Sequence, residues 1–523
     1  MASPRLHSVR SPHALVASAD QAATQAGLRA LVLGGNAVDA AIATNAAIAV
    51  TCPHLCGMGG DLFALVYHDG EVTALNSTGR AGSGADAAAL RSEGHTEMPF
   101  RLDIRAVTVP GCVDGWMALH DRFGTLPMSV LLEPAIALAS GGFPASPLLV
   151  GAAARADEGA SANLAELLAQ LTRPGARVRR AGAARALAAI AEGGRDAFYL
   201  GEFGTGLKAL GGGLYSDADL ASSRADWVQP LTTSAFGVEL WTIPPNSQGY
   251  LTLAAAELAS RLDLPADPTD ARFAHLLVEA ATAAGYDRPD VLSDSADGDA
   301  LLQMIAGRLG MIDTERASDR WAPGRDGDTT YLCTVDGQGM AVSLIQSNAA
   351  GFGSGLIEPN TGINLHNRGL GFNLHQGHAA EFMPGHRPPH TLCPAMATSD
   401  GSLRAVFGTM GGDAQPQILL QLAARLFHYG QSPAAAIDAG RWALRGPSTG
   451  FDTWTSGEAP TVTVEGQAPT DWLSELARRG HKVAAVDPYD SSFGHAHAIV
   501  IDGEGFRAGA ADPRTMVGTA AGI

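Results

Sequence analysis

Apolar residues recur at helical spacing over residues 13–30, a turn follows at Gly34-Gly35, and Asn36 is placed to cap an alanine-rich helix over about 37–50. Residues 28–50 are the most apolar stretch, yet Asn36, Asp39, Thr44 and Asn45 interrupt it, so it predicts a buried helix and not a bilayer span. Cys52-Pro53-His54 ends that helix. The loop Gly57-Met58-Gly59-Gly60 then feeds a β-hairpin, 62–67 and 71–75, around Asp69-Gly70. Residues 83–200 are mostly helical by pattern, including 129–140 and 183–192, and the basic run Arg173, Arg177, Arg179 and Arg180 reads as a solvated helix face. A further helix over 251–262 is entered from Pro244-Pro245-Asn246, and the polar run 322–328 reads as an exposed connection. Beyond it the period switches from helical to alternating. Strand pairs 329–335 and 340–346, 395–398 and 403–407, and 496–501 and 505–508 flank Asp336-Gly337, Asp400-Gly401 and Asp502-Gly503, and helices are predicted over 415–427 and 434–442. Antiparallel sheets inside and helices outside, an α+β architecture, follow from this order.

Composition narrows the class. The 523 residues suit about three domains or one large body with a split core. At 46% hydrophobic and 17% charged residues the chain is neither disordered nor low-complexity. Lys and Arg number 35 against 53 Asp and Glu, a net charge of -18, so nucleic acid and anionic membrane are not expected partners, and an anionic ligand needs a local cationic cluster. Five Cys, an odd number, with only Cys52 and Cys56 close together, indicate neither a disulfide framework nor a four-cysteine zinc site. With no secretory apolar run at the N-terminus, a cytoplasmic location is expected.

The run Asp328-Thr329-Thr330-Tyr331-Leu332-Cys333 opens a strand directly after a polar connection. A Thr hydroxyl is a poor nucleophile unless a base adjoins it, and the α-amine of the same residue, with a reference pKa of about 7.7–8.0, becomes that base once the preceding peptide bond is cut. The hydroxyl can make the cut itself by an N-to-O acyl shift. A Thr-Thr pair is also what β-propensity alone produces, and the residues by themselves do not separate Thr329 from Thr330. His366, His375, His378, His386 and His390 crowd one stretch; His375-Gln376-Gly377-His378 lacks the further ligands of a metal motif, so loop histidines at a site mouth are expected and no metal.

Around this run the chain resembles the γ-glutamyltransferase family of autoprocessing N-terminal nucleophile hydrolases. The resemblance covers nearly the whole length, through Gly34-Gly35-Asn36-Ala37-Val38-Asp39-Ala40-Ala41, Gly57 to Asp61, Val109-Pro110-Gly111, Gly124-Thr125-Leu126-Pro127, Pro244-Pro245-Asn246-Ser247-Gln248-Gly249 and Gly509-Ala510-Ala511-Asp512-Pro513-Arg514. It implies a four-layer αββα sandwich, an enzyme without cofactor, and cleavage between Asp328 and Thr329. The products, 1–328 and 329–523, would stay associated, with a dimer of such pairs left open. It also implies an oxyanion hole at Gly411 and Gly412, within Gly408-Thr409-Met410-Gly411-Gly412-Asp413, where backbone N–H groups and a following helix suit a developing negative charge. Arg80 matches the family arginine that grips a substrate carboxylate, a task suited to a guanidinium fork. His390-Thr391 stands where the family has a Ser-Ser pair, and Ser347 supplies the second hydroxyl beside the nucleophile.

Other positions depart from the family. Ala349 replaces an expected Asn, Gly371 stands in place of the acidic residue that binds a γ-glutamyl α-amine, and Arg368 replaces a polar amide. Like charges without a counterion repel, so Arg368 disfavours an ammonium and favours a carboxylate. The 371–390 stretch is short for the family's lid loop. These features are similar to the branch containing glutathione hydrolase-like proenzymes and oxamate amidohydrolase. They imply hydrolysis of an amide or other acyl bond in a small carboxylate-bearing substrate. A γ-glutamyl hydrolase or transferase, a carbon-carbon bond hydrolase releasing an oxalyl-type group, and an unprocessed non-enzymatic homologue are the alternatives.

Overall fold

The computed structural model of the chain describes residues 6–156, 158–318, 328–446, 453 and 460–523. The predicted connection over 322–328 falls outside them except at its last residue. Two seven-stranded sheets, antiparallel at every pairing, form the centre. The first runs Val9–Ser11, Arg507–Ala511, His497–Ile501, Ser402–Gly408, Ala395–Ser399, Val238–Thr242, Leu231–Ala235; the second runs Thr519–Gly522, Leu15–Ser18, Asp328–Val335, Ala341–Ala349, Asp61–His68, Glu71–Ser77, Asp226–Val228. Both sheets thus draw strands from either side of the Asp328-Thr329 junction.

Strand alternation divides the apolar residues into three layers, and these define the four-layer αββα sandwich. Phe63, Leu65, Tyr331, Ile345, Met396 and Val406 meet between the sheets. Their neighbours Leu62, Ala64, Leu332 and Leu344 face the opposite way, onto Ile42, Ile48 and Trp116 of the first helical layer. Ala397, Ala405 and Phe407 face Tyr250, Phe273 and Leu419 of the other helical layer.

The Ala37–Thr51 helix is buried along its whole length. Asn36 caps it, accepting from the N–H groups of Val38 and Asp39 at 2.9 and 3.0 Å, and Asp39 returns the bond to the Asn36 N–H. The polar residue near its middle is satisfied too: Asn45 accepts from the Trp116 indole at 2.7 Å and donates to Gln346 at 3.1 Å. At Asp69-Gly70 and Asp400-Gly401 both residues take positive φ, as two-residue hairpins require. At Asp336 and Asp502 the turns are longer; each carboxylate accepts N–H groups from two and four residues on, and the strand after Asp502 begins at Arg507 and not at 505.

Three expectations are corrected. Residues 13–30 contain the strand Leu15–Ser18 and the helix Gln21–Val32, because Asp20 caps a new helix and breaks the apparent single run. The 434–442 helix stops at Asp438, and Trp442–Arg445 is a strand. The basic run is not a helix face: Arg177 lies in the Arg177–Val178 strand, Arg173 and Arg179 lie outside any helix, and Arg180 is buried and donates to the Ala49 carbonyl and Asn364 Oδ1 at 2.9 and 3.1 Å.

Replacing the Asn36 cap, Asn36→Ala, removes bonds to two helix N–H groups and one to the Phe123 carbonyl. We expect it to lower unfolding free energy by about 1–2 kcal/mol, read from the urea midpoint; an unchanged midpoint contradicts the capping account.

Candidate active site

In the Asp328–Val335 strand, Tyr331, Cys333 and Val335 point between the sheets, whereas Leu332 packs on helices and Thr334 donates to the Ala37 carbonyl at 2.7 Å. The two-residue period therefore directs Thr329 between the sheets and Thr330 toward the helices. Thr329 Oγ1 donates to Ser347 Oγ at 3.1 Å and accepts from the Gln415 side-chain amide at 3.5 Å. Thr330 Oγ1 is buried and has no hydrogen-bond partner among the described residues. Asp328 lies opposite Ala349 and Thr330 opposite Gln346, so a bulge sets Ser347 and Asn348 against Thr329. Ser347 Oγ is oriented by the Ala349 N–H at 2.7 Å, and Ala349 itself takes a left-handed φ of 71°.

Gly411 and Gly412 have φ values of 135° and 55°, open to glycine at little cost. Neither N–H has an acceptor among the described residues. They lead through the Gly412–Ala414 turn into the Gln415–Ala423 helix, whose first residue reaches Thr329. Two glutamines tie the parts together. Gln415 accepts from the Cys393 N–H at 3.1 Å, and Gln248 donates to the carbonyls of Gly412 and Thr391 at 3.0 and 3.1 Å.

Thr391 forms part of a cavity of about 380 Å³ whose walls include Arg288, Arg368, Leu370, Gly371 and Phe372. Arg368 donates to Thr391 Oγ1 at 3.3 Å; burial pulls its pKa down to about 10, with Asp61 opposing that shift. Arg288 lies 3.7 Å from Asp413. A Cβ at Gly371 would stand 2.4 Å from the Pro389 carbonyl oxygen, so the backbone leaves no room for a side chain there.

Residues 23–522 match the family model described as gamma-glutamyltranspeptidase. The chain belongs to the gamma-glutamyltranspeptidase family. It is 35% identical to the glutathione hydrolase-like YwrD proenzyme of Bacillus subtilis, over 98% of each chain. It is also 35% identical to the oxamate amidohydrolase proenzyme of Klebsiella pneumoniae, over 98% of this chain and 99% of that one. The solved cephalosporin acylase of Bacillus halodurans superposes with a TM-score of 0.89 at 33% identity, covering 100% of this chain and 98% of that one. Membership and architecture together make this protein an enzyme of the N-terminal nucleophile hydrolase class.

Within this family member, the residues singled out from sequence fall into three groups. Thr329, Ser347, Gly411 and Gly412 are joined through Gln415 and Gln248 to Thr391 and Arg368. Thr329 is wholly buried and lies off the cavity wall. Arg80 is also off that wall: its half-buried guanidinium holds Asp226 and the Gly385 carbonyl, each at 3.0 Å. His390 lies behind the wall, donating through Nε2 to Asp61 at 3.1 Å and accepting the Leu392 N–H at Nδ1. Of the other loop histidines, His375 and His378 line the cavity, and His366 approaches Asp61 at 3.5 Å. Sequence reasoning missed Gln415, Gln248, Arg288 and Asp61 as site residues. Gln248 and Asp61 lay within quoted blocks and Gln415 opened a predicted helix, but Arg288 carried no signal.

Asp61 is fully buried, and although burial opposes ionisation, His366 and His390 hold its pKa far below the usual carboxylate range. Burial lowers His390 to about 3, as it lowers His54 and His497 to about 3 and His495 to about 4. All four values lie below the unfolded value of about 6.5, so the folded chain binds fewer protons. Stability should therefore fall as pH drops from about 6.5 toward 4, by up to about 1.4 kcal/mol per pH unit for each histidine. Urea unfolding across that range checks this; a flat profile contradicts neutral burial of these rings.

Proposed function

We propose that this protein is an autoprocessing threonine hydrolase that cleaves an amide or related acyl bond in a small substrate bearing a carboxylate. The observation that carries the reading is Thr329 Oγ1, set between the Ser347 hydroxyl and the Gln415 amide and linked to Gly411-Gly412. In processing, Thr329 Oγ attacks the Asp328 carbonyl carbon, its proton passes to the departing nitrogen, and an ester replaces the peptide bond. Water then hydrolyses the ester, releasing the Asp328 carboxylate and restoring the Thr329 hydroxyl beside the α-amine that the shift freed. The products 1–328 and 329–523 remain joined because each sheet contains hydrogen-bonded strands from both segments.

In turnover the freed amine takes the hydroxyl proton and Oγ attacks the substrate carbonyl. The N–H groups of Gly411 and Gly412 receive the oxyanion, and the leaving nitrogen departs with the proton before water hydrolyses the acyl-enzyme. Arg368 and Thr391, with Arg288 in the same cavity lining, hold the carboxylate. The name of the Klebsiella relative, 35% identical over 98% of this chain, suggests oxamate, in which carboxylate and amide carbonyl are adjacent, as a model substrate. A γ-glutamyl α-ammonium would meet Arg288 and Arg368 and, at Gly371, no carboxylate, with Glu97 the one acidic side chain in the lining. Five buried free thiols fit the proposed cytoplasmic location.

Thr329→Ala should leave one intact band on a denaturing gel and abolish turnover, whereas Thr330→Val should still split and retain activity. Splitting of Thr329→Ala would overturn the nucleophile assignment. Arg368→Ala should raise KM for oxamate about 10- to 100-fold, the loss of a charge-assisted contact, and exceed the effect of Arg80→Ala. Turnover of a γ-glutamyl anilide with higher kcat/KM than oxamate would contradict the substrate reading.

A further inference from the structure

A second cluster of polar side chains lies outside the active site, in the helical layer that covers the first sheet. The Ala271–Gly285 helix carries His275 and Glu279 one turn apart on one face, and His481 follows the Trp472–Arg478 helix. One ligand atom from each lies within 4.8 Å of the other two. Their exposures are 0%, 1% and 6%. His275 Nε2 is 3.0 Å from the Asp313 carbonyl, which can only accept, so that nitrogen carries a proton and Nδ1 presents a lone pair. His275 Nδ1 stands 2.8 Å from His481 Nε2, and His481 Nδ1 has no hydrogen-bond partner among the described residues. Glu279 accepts the Ser318 N–H at 3.3 Å and has no cationic partner among the described residues. Arg479, beside both imidazoles, is engaged by Glu315 at 3.0 Å.

The geometry that points to a ligand is the convergence, away from solvent, of the His275 Nδ1 lone pair, a His481 ring nitrogen 2.8 Å from it, and a Glu279 carboxyl with no cationic partner among the described residues. We propose that His275, Glu279 and His481 bind one divalent metal ion. Two imidazole nitrogens and a carboxylate oxygen are the donor set that suits Zn²⁺, with water completing four-coordination. The Asp313 carbonyl fixes the tautomer and ring plane of His275, as an outer hydrogen bond does for a metal-binding histidine. Tetrahedral geometry sets two coordinating nitrogens about 3.3 Å apart, slightly wider than the present 2.8 Å, so on binding the His481 ring shifts slightly and its proton moves from Nε2 to Nδ1. His275 and Glu279 precede Thr329 in the chain and His481 follows it, so the ion would clasp the two segments. The inference holds whether or not the chain is cut.

The test uses full-length, tag-free protein, stripped with a chelator and dialysed against ZnCl₂ alone. We expect one Zn²⁺ per chain by mass spectrometry of the metal and a higher Tm than in the stripped protein. Co²⁺ in place of Zn²⁺ should give the strong visible absorption of a tetrahedral site. His481→Ala and Glu279→Gln should each weaken Zn²⁺ binding at least tenfold while leaving Thr329-dependent turnover at saturating substrate unchanged. Zn²⁺ bound equally well by His481→Ala, or less than one-fifth of an ion per wild-type chain, would overturn the proposal. The Co²⁺ spectrum of the wild-type chain decides the matter if a variant fails to fold: absence of the tetrahedral band counts against it.

Discussion

The two-residue period of one strand governs the site. With Tyr331, Cys333 and Val335 committed to the core between the sheets, Thr329 has to point the same way, into the layer where Ser347 and Gln415 reach its hydroxyl. A shift of one residue would send Thr330 there and expose Tyr331 and Cys333 to the helical side. Burial of the strand core thus fixes the placement of a hydroxyl. The bulge opposite Thr329 adds the local adjustment, turning Ser347 toward the threonine without disturbing the ladder beyond Gln346.

Around that hydroxyl, the polar atoms are held by an interior that tolerates few orphan groups. Gln415 and Gln248 each bond two separate segments, so the glycine turn, the Thr391 strand and the Thr329 strand hold one another in place. Behind them the Asp61 carboxylate takes the Gly79 N–H at 2.8 Å and the His390 ring. That buried negative charge opposes the deprotonation that burial favours at Arg368. The cavity consequently keeps a cationic wall within a protein whose net charge is -18.

Much of this was legible in the sequence. Asp-Gly pairs between alternating runs marked the hairpins, the Asn36 cap marked the buried helix, and the ordered motif blocks pointed to the family and its four layers. Local signals failed where a residue's surroundings come from far along the chain. Leu15–Ser18 looks helical in isolation because its buried residues have no partner strand in view, and Arg180 looks solvated until the Ala49 and Asn364 acceptors close over it. Arg80 was singled out from a motif, and the partner that holds its guanidinium, Asp226, lies 146 residues away, beyond the reach of local pattern. Arg288 reaches the cavity from the short Arg288–Val291 helix, which has no distinguishing pattern, and only the folded chain brings it to the same cavity as Arg368.

The most direct measurement is the intact mass and N-terminal sequence of the purified species that carries activity. The account predicts two co-purifying chains, one of them beginning at Thr329 and containing 195 residues, the 523 of the whole less the 328 that precede it. Full activity from a backbone continuous through Asp328-Thr329, or a new terminus at Thr330, would contradict it.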